Sequence, residues 1–422
     1  MGLVMAGEWR ERPLAELTDN FDGIRVPVKE SNRHAGPYPY YGASGVVDHV
    51  DKYLFDGEYL LIAEDGENLR TRNTPVAFLA RGKFWVNNHA HIVRGNSEAD
   101  TRFLMYALSS ADIGGYLTGS TMPKLTQGNM NRIPLLTPPL PEQRAIAHIL
   151  GTLDDKIELN RLLSETLEAL ARALFKSWFV DFDPVRAKME DRDAALPKPL
   201  ADLFPARLVD SELGEIPEGW KVGRFGDMVE QLREQENPLS FPDALFHHFS
   251  IPAFDEGQTA KAEFGESIKS FKWRVAPEVI LLSKLNPEIE RVWMVDVRPL
   301  ERAVCSTEFL VFRARPRFSR SYVYCLARSP LFRQQIEGLV TGTSKSHQRA
   351  QVESILNLAP VIPPSTIVAA FDRFAHNLLS RTLECRRESR TLAALRDSLL
   401  PKLICGELRV ADADRVVAQA AS

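Results

Sequence analysis

Thr166-Leu167-Glu168-Ala169-Leu170 recurs as Thr391-Leu392-Ala393-Ala394-Leu395, an offset of about 225 residues in a chain of 422. The same offset carries Leu174 onto Leu399 and Pro138-Pro139 onto Pro363-Pro364. It also carries Ile146 onto Phe371, Ile149 onto Phe374 and Leu153 onto Leu378. Nearer each beginning, Trp9 followed by Leu14 and Leu17 parallels Trp220 followed by Phe225 and Met228. Each copy is a globular segment that feeds a long helix. The repeat predicts a two-headed molecule held by a spacer, whose function lies where the copies differ.

After Pro138-Pro139-Leu140-Pro141-Glu142-Gln143, a helical pattern runs from about Thr152 to Phe179, and Gly151 before it marks a kink or register break. Seven-residue steps place Ile146, Leu153, Asn160, Leu167 and Leu174 on one line and Leu150, Ile157, Ser164, Ala171 and Trp178 on the other. That period near 3.5 keeps one stripe facing a partner helix. Phe371, Leu378, Leu392 and Leu399 supply the matching stripe. Polar Asn160 and Ser164, answered by Cys385 and Ser389, interrupt the seam midway and would set its register. A helix of some 30 to 38 residues is roughly 45 to 57 Å long, too long to hide in a small domain. Two amphipathic helices on unrelated cores are the plain alternative; shared spacing and flanking Pro-Pro favour pairing.

The globular segments read as mixed α/β. Tyr59 to Ala63, Val76 to Ala80 and His91 to Arg94 are strand-like, and a helix covers Thr101 to Leu108 with Asp100 as its cap. Val279 to Leu282, Phe309 to Phe312 and Ser321 to Leu326 answer them in the second copy. Asp181 to Pro217 is proline-rich and charged, which suits an extended connector. The boundaries that follow are a first module over 1–140, a long helix over 141–180, a connector over 181–216, a second module over 217–362, a second helix over 363–408 and a frayed tail over 409–422.

The formal net charge is -4 and the pI about 6.2. Free-standing nucleic-acid binders are usually basic, so this balance requires local basic patches or a partner that supplies phosphate contacts. The sequence has no 18-residue apolar stretch and no signal-peptide pattern at Met1 to Trp9, which implies a cytoplasmic protein. Cys305, Cys325, Cys385 and Cys405 form no CxxC pair, so neither metal nor disulfide is expected. No Walker A loop, dinucleotide fingerprint, HExxH or GxSxG is present. Asn237-Pro238-Leu239-Ser240 and Asn286-Pro287-Glu288-Ile289 fall short of an amino-methyltransferase tetrad, and Asp181-Phe182-Asp183 reads as a solvated cap at a helix end. A binding protein is favoured over an enzyme.

Base-edge and phosphate contacts need donors and acceptors on exposed loops. The first copy offers Asn68, Arg70 and Arg72, then Arg81, Lys83, Asn87, Asn88 and His89. The second offers Lys284, Asn286 and Arg291, then Ser306 and Thr307. A hydroxyl-rich turn before each long helix, with Ser120, Thr121 and Lys124 in one copy and Thr343, Ser344, Lys345 and His347 in the other, suits phosphate.

Four stretches resemble the central region of type I restriction-modification specificity subunits: Pro138 to Gln143, Leu153-Asp154-Asp155-Lys156-Ile157, Glu165-Thr166-Leu167-Glu168-Ala169, and Leu174-Phe175-Lys176-Ser177-Trp178-Phe179-Val180-Asp181-Phe182-Asp183-Pro184-Val185. Ser211 to Trp220 is similar to the start of that family's second recognition domain, and Leu395 to Leu403 with Gly406-Glu407-Leu408 to its closing helix. The resemblance spans essentially the whole chain. It implies an α/β (α+β) protein with two target-recognition domains separated by an antiparallel pair of long helices. It further implies a non-catalytic subunit that reads a bipartite, asymmetric sequence in double-stranded DNA, with the helices measuring the unread spacer. Two modification subunits carrying S-adenosylmethionine would dock on the helices, and restriction (motor-nuclease) subunits would join them; the chain itself needs no cofactor. Glu142 and Gln143 are candidates for partner docking, and their loss in Pro363-Pro364-Ser365-Thr366 implies a contact that is asymmetric or absent at the second site. A self-contained methyltransferase or nuclease with a diverged site, and a scaffold protein, are the alternatives.

Overall fold

The computed structural model describes residues 9–339, 348–413 and 415. They form two compact units, one built from the chain up to Glu158 and again from Ser389 onward, the other from Leu159–Glu388.

In the first unit, strands β1 (Arg10–Pro13), β2 (Thr18–Asn20), β3 (Ala35–Gly42), β4 (Gly45–Val50), β5 (Phe55–Ala63), β6 (Ala77–Val86), β7 (Ala90–Gly95) and β8 (Pro134–Thr137) form a β1-β8 pair and a six-stranded sheet ordered β2-β7-β5-β6-β3-β4. Side chains alternate across a strand, so β5 serves two cores. Leu60 and Ile62 join Leu14, Phe103 and Ile146, whereas Phe55 and Leu61 join Phe84, Val86 and Ile92 on the opposite face. The helix Thr101–Ser110 starts as its sequence predicts, the Asp100 carboxylate accepting the Phe103 N–H at 2.9 Å.

The second unit contains β9 (Leu208–Ser211), β10 (Gly214–Pro217), β11 (Lys221–Val222), β12 (Val229–Leu232), β13 (Gln235–Glu236), β14 (Leu245–Phe249), β15 (Lys261–Phe264), β16 (Lys272–Arg274), β17 (Val279–Ser283), β18 (Val292–Met294), β19 (Ala303–Cys305), β20 (Phe309–Ala314) and β21 (Val361–Ile362). Its two larger sheets run β12-β20-β17-β18 and β13-β16-β19-β14-β15. Strand β17 repeats the division made by β5. Ile280 and Leu282 face the core that holds the long helices, and Val279 and Leu281 face Trp293 and Phe309.

The stretch expected to be an extended connector is instead packed. Helices Asp183–Met189 and Lys198–Ala201 precede the β9-β10 hairpin, and Val185 and Phe204 are buried beside Trp178 and Trp220. Proline is tolerated in a first helical turn, where its missing N–H has no intrahelical partner; Pro184 and Pro199 occupy such positions. The tail is likewise docked in part, since Ala413 is buried in the first unit's core.

The long helices are Leu140–Phe179 and Ser365–Ile404, each of 40 residues and therefore about 60 Å long. The first starts at Leu140, one residue from the expected boundary at 141, and Gly151 does not break it. A β-carbon at Gly151 would lie 2.2 Å from Arg102 Nη1, because Arg102 crosses the helix there to pair with Asp155 at 2.6 Å. In the first unit Ile146, Leu150 and Leu153 meet Leu399 and Leu403; in the second, Ala171, Phe175 and Trp178 meet Ile367 and Phe371. The pairing is antiparallel: within the second unit Asn160 Nδ2 donates to Glu388 at 2.9 Å, while Phe175 contacts Phe371.

The seam departs from the first of the seven-residue lines by one position. Leu167, Leu174 and Leu378 are only half-buried, and the residues after them, Glu168, Phe175 and Leu379, are buried. The second line holds at Ala375: this counterpart of Leu150 is fully buried, and Phe374 beside it is 48% exposed. Ile157 and Leu392 are also half-buried. A straight helix of 3.6 residues per turn drifts about 20° per heptad from a 3.5 repeat, so over several heptads the buried stripe moves on by a residue. The polar break persists as buried Asn160, Ser164, Thr382 and Cys385. Among the described residues no helix is long and apolar enough to cross a membrane.

Phe371 contacts Phe175, Trp178, Phe179 and Tyr322. Denaturant titration of Phe371→Ala should therefore show a loss of about 3–5 kcal/mol, and Phe374→Ala a loss of about 1 kcal/mol or less. The reverse order would mean that the seam runs through Phe374 and not through Phe371.

Candidate nucleic-acid interface

Beyond β5 the chain ties three loops together through its backbone. The Glu64 N–H donates to His89 O at 2.9 Å, the Leu125 N–H to Glu64 O at 2.7 Å and the Gly66 N–H to Pro123 O at 3.1 Å. The segments 64–72, 87–89 and 118–125 thereby form one surface. Beyond β17 the second unit makes the same three bonds: Lys284 N–H to Glu308 O at 3.0 Å, Ala350 N–H to Lys284 O at 3.0 Å and Asn286 N–H to Gln348 O at 2.8 Å. Asp65 bridges Lys124 in one unit as Leu285 bridges Arg349 in the other. Both frames turn through a left-handed residue, Gly66 at φ 111° and Asn286 at φ 47°, the conformation that glycine and asparagine tolerate best.

The side chains mounted on this frame differ. Lys124 Nζ lies 3.2 Å from Glu64, at the end of β5. Its counterpart Arg349 is held at 3.0 and 2.8 Å by Glu308, in the loop before β20. Arg349 is absent from the sequence-derived candidates, although the offset that relates the Pro-Pro pairs and the helices also carries Lys124 onto it.

Several predicted contacts turn out to close the loops. Arg70 donates to Gly119 O at 3.0 Å, Arg72 to Ser109 O at 3.2 Å and Ala111 O at 2.5 Å, and Asn68 exchanges two bonds with Thr74. Asn87 is buried and accepts the His89 N–H, while the His89 ring meets Asp65 at 2.8 Å. Ser120, Thr121, Asn88 and Lys124 remain exposed on that surface. Arg81 and Lys83 are not tied into the frame: Arg81 pairs with Glu58 at 2.7 Å and approaches Asp155 on the first long helix, and Lys83 lies over the Tyr53 ring.

In the second unit Lys284 and Asn286 belong to the frame, and Thr307 is exposed beside it. Ser306 Oγ accepts the Glu308 N–H. Arg291 is not available: only 7% exposed, it is paired through two nitrogens with Asp255 at 2.7 and 2.8 Å. Thr343, Ser344, Lys345 and His347 lie outside the described residues. Gln143, expected to dock a partner, is 1% exposed. It accepts the Asp100 N–H and donates to Glu98 O and Pro138 O, so it anchors the start of the long helix internally. Glu142 pairs with Arg409 at 3.0 Å. No group of three or more His, Cys, Asp or Glu suited to a metal occurs among the described residues.

Residues 6–169 match the family described as the type I restriction modification DNA specificity domain. The type I restriction enzyme MjaIX specificity subunit of Methanocaldococcus jannaschii is 24% identical over 428 residues, covering 96% of this chain and 94% of its own. The type I restriction enzyme HindI specificity subunit of Haemophilus influenzae is 23% identical over 411 residues, 84% of each chain. In fold, the chain is similar to the crystal structure of a type I restriction-modification S subunit from M. genitalium, with a TM-score of 0.59 at 14% identity over 94% of this chain and 96% of the other. Residues 6–169 thus match a DNA specificity domain, and the chain as a whole is similar to type I restriction-modification specificity subunits.

The first frame rests on a buried ionic cluster that no sequence motif announces, because its members lie far apart in the chain. His91 Nδ1 meets Asp22 at 2.6 Å and its Nε2 meets Leu125 O at 2.8 Å, so both ring nitrogens face acceptors. Arg25 donates to Glu64 at 2.9 Å and to Ala90 O at 2.7 Å. Burial would raise both carboxyl pKa values. For Asp22 the His91 and Ile92 donors outweigh it, and for Glu64 Arg25, His91 and Lys124 do, holding each below its ordinary value. A folded-state pKa below the unfolded one contributes stability that is complete above the unfolded value and lost as pH falls through the folded one. Asp22→Asn should therefore cost about 3 kcal/mol near neutrality. The gap to the parent should close as pH drops below about 4 in urea titrations. A gap that stays constant with pH would remove the ionic role.

Proposed function

We propose that this chain is the DNA-recognition subunit of a type I restriction-modification complex and has no catalytic activity of its own. The observation that carries this reading is the repeated loop frame. One set of backbone hydrogen bonds, made twice, presents two different sets of polar side chains. Each frame reads one half of a bipartite target, and because Lys124, Glu64 and His89 are replaced by Arg349, Lys284 and Glu308 at the corresponding places of the second frame, the half-sites differ. The paired helices measure the unread spacer. Two modification subunits, which hold S-adenosylmethionine, dock on the helical regions and methylate adenine, and restriction subunits join for cleavage in the cytoplasm. These partners also account for the chain's net acidity, since they share the neutralisation of phosphate.

Duplexes retained from a random pool by the chain with its modification subunit should carry one bipartite, asymmetric sequence. Retention of no particular sequence would overturn the reading. Removing seven residues from each long helix should shorten the spacer and leave both half-sites unchanged. Lys124→Ala and Arg349→Ala should each weaken binding to all sequences and reduce the slope of log K against log salt by about 1. A loss confined to one base position would make either residue a base reader instead of a phosphate anchor.

A further inference from the structure

Each unit contains a three-part polar contact away from the loop frame. In the first, Asp154 on the first long helix accepts the Tyr106 hydroxyl at 2.5 Å on one oxygen and Arg396 Nη1 at 2.7 Å on the other. In the second, Glu168 on the same helix accepts the Tyr324 hydroxyl at 2.5 Å on one oxygen and Arg386 Nη2 at 2.9 Å on the other. The tyrosines project from the small helices Thr101–Ser110 and Arg320–Ala327, and both arginines from the second long helix. One carboxylate therefore fastens a recognition module to both long helices at once. Tyr106 is 3% exposed and Tyr324 1%.

These two clasps are not copies. The offset of about 225 carries Asp154 onto Leu379 and not onto an acid, and Tyr106 has no tyrosine at the matching position of the second small helix, where Asp100 and Ser319 are the caps. The same chemistry has been assembled from residues that do not correspond. Hydrophobic packing alone needs no such convergence: the apolar residues of the two small helices already bury themselves against the long helices. What apolar contact lacks is direction. A charge-assisted O–H to carboxylate bond weakens steeply with misalignment, so a carboxylate bound on both oxygens fixes slide and rotation. In a reader of a split target that freedom matters. Successive base pairs are 3.4 Å apart, so a slack of a few ångströms in either module admits a spacer of the wrong length.

We propose that Tyr106-Asp154-Arg396 and Tyr324-Glu168-Arg386 are positioning residues that determine which spacer length the complex accepts. Neighbouring contacts brace them: Arg328 joins Tyr324 and Glu168, and Arg102 pairs with Asp155. The inference rests on the DNA-reading function proposed above.

The test uses the full complex with its modification subunits, and duplexes in which the selected half-sites are separated by the native spacer or by one base pair more or fewer. Tyr106→Phe and Tyr324→Phe delete only the hydroxyl. Each should retain both half-site sequences and bind the native spacer within about threefold of the parent, while discrimination against the altered spacers falls by about tenfold. Glu168→Gln still accepts the tyrosine but loses the ionic bond to Arg386, and should show the same relaxation if a phenylalanine variant fails to fold. Phe374→Ala, on an exposed helix position, should leave discrimination unchanged. If the clasp variants keep the parental spacer discrimination, even with lowered melting temperatures, the clasps are merely structural and the proposal fails. If the parent complex itself selects no sequence, the DNA-reading function fails instead.

Discussion

Neither globular part closes its core without both long helices. In the first unit Leu14, Phe103 and Leu135 pack with Ile146, Leu150 and Leu153 from one helix and Leu399 and Leu403 from the other. In the second, Phe225, Phe312 and Tyr322 pack with Phe175 and Trp178 from one and Ile367 and Phe371 from the other. Each fully buried side chain of this size contributes about 1.5–3 kcal/mol, so detaching a helix from either core removes far more than a domain's usual margin of about 5–15 kcal/mol. The first unit thus joins residues near the beginning of the chain to residues near its end. Every other feature, from the small helices to the loop frames, is hung on that closure.

Because the cores need both helices, their stripes must turn with the helix and cannot follow an ideal heptad line. This is also where legibility ended. The repeat, the strand cores at 60–63 and 279–282 and the Asp100 cap were readable, since apolar periodicity and capping are local signals. The one-residue slip from Leu167 to Glu168 and from Leu174 to Phe175 was not, because it accumulates along the helix and depends on how straight the helix is. The proline-rich stretch misled for a related reason. Proline suits an extended linker and a first helical turn equally well, and only the burial of Val185 and Phe204 decides between them.

At the loops the limit is different. A loop arginine reads the same whether it addresses a ligand or its own carbonyls, and Arg70 and Arg72 do the latter. Arg291 was indistinguishable from them in sequence and is sealed against Asp255. The frame itself is made of backbone groups, so it imposes almost no sequence beyond a residue that tolerates positive φ at positions 66 and 286. That indifference lets two copies diverge at every presented side chain while keeping one geometry.

The exposed cations of the two frames each already hold a carboxylate, Lys124 with Glu64 and Arg349 with Glu308. In a surface setting such a pair contributes little to stability, so exchanging the carboxylate for a phosphate would cost little. What the carboxylate supplies before that exchange is a fixed rotamer. An unpaired lysine or arginine gives up roughly 2 kcal/mol of side-chain entropy when it is ordered on a ligand, and a paired one has lost part of it in advance. Carrying acids beside its cations therefore lowers the net charge of the chain without disabling the frame. Nonspecific attraction to any polyanion is weakened, and the contacts that depend on geometry are kept. On the function proposed above, a net charge of -4 suits a reader whose task is to discriminate.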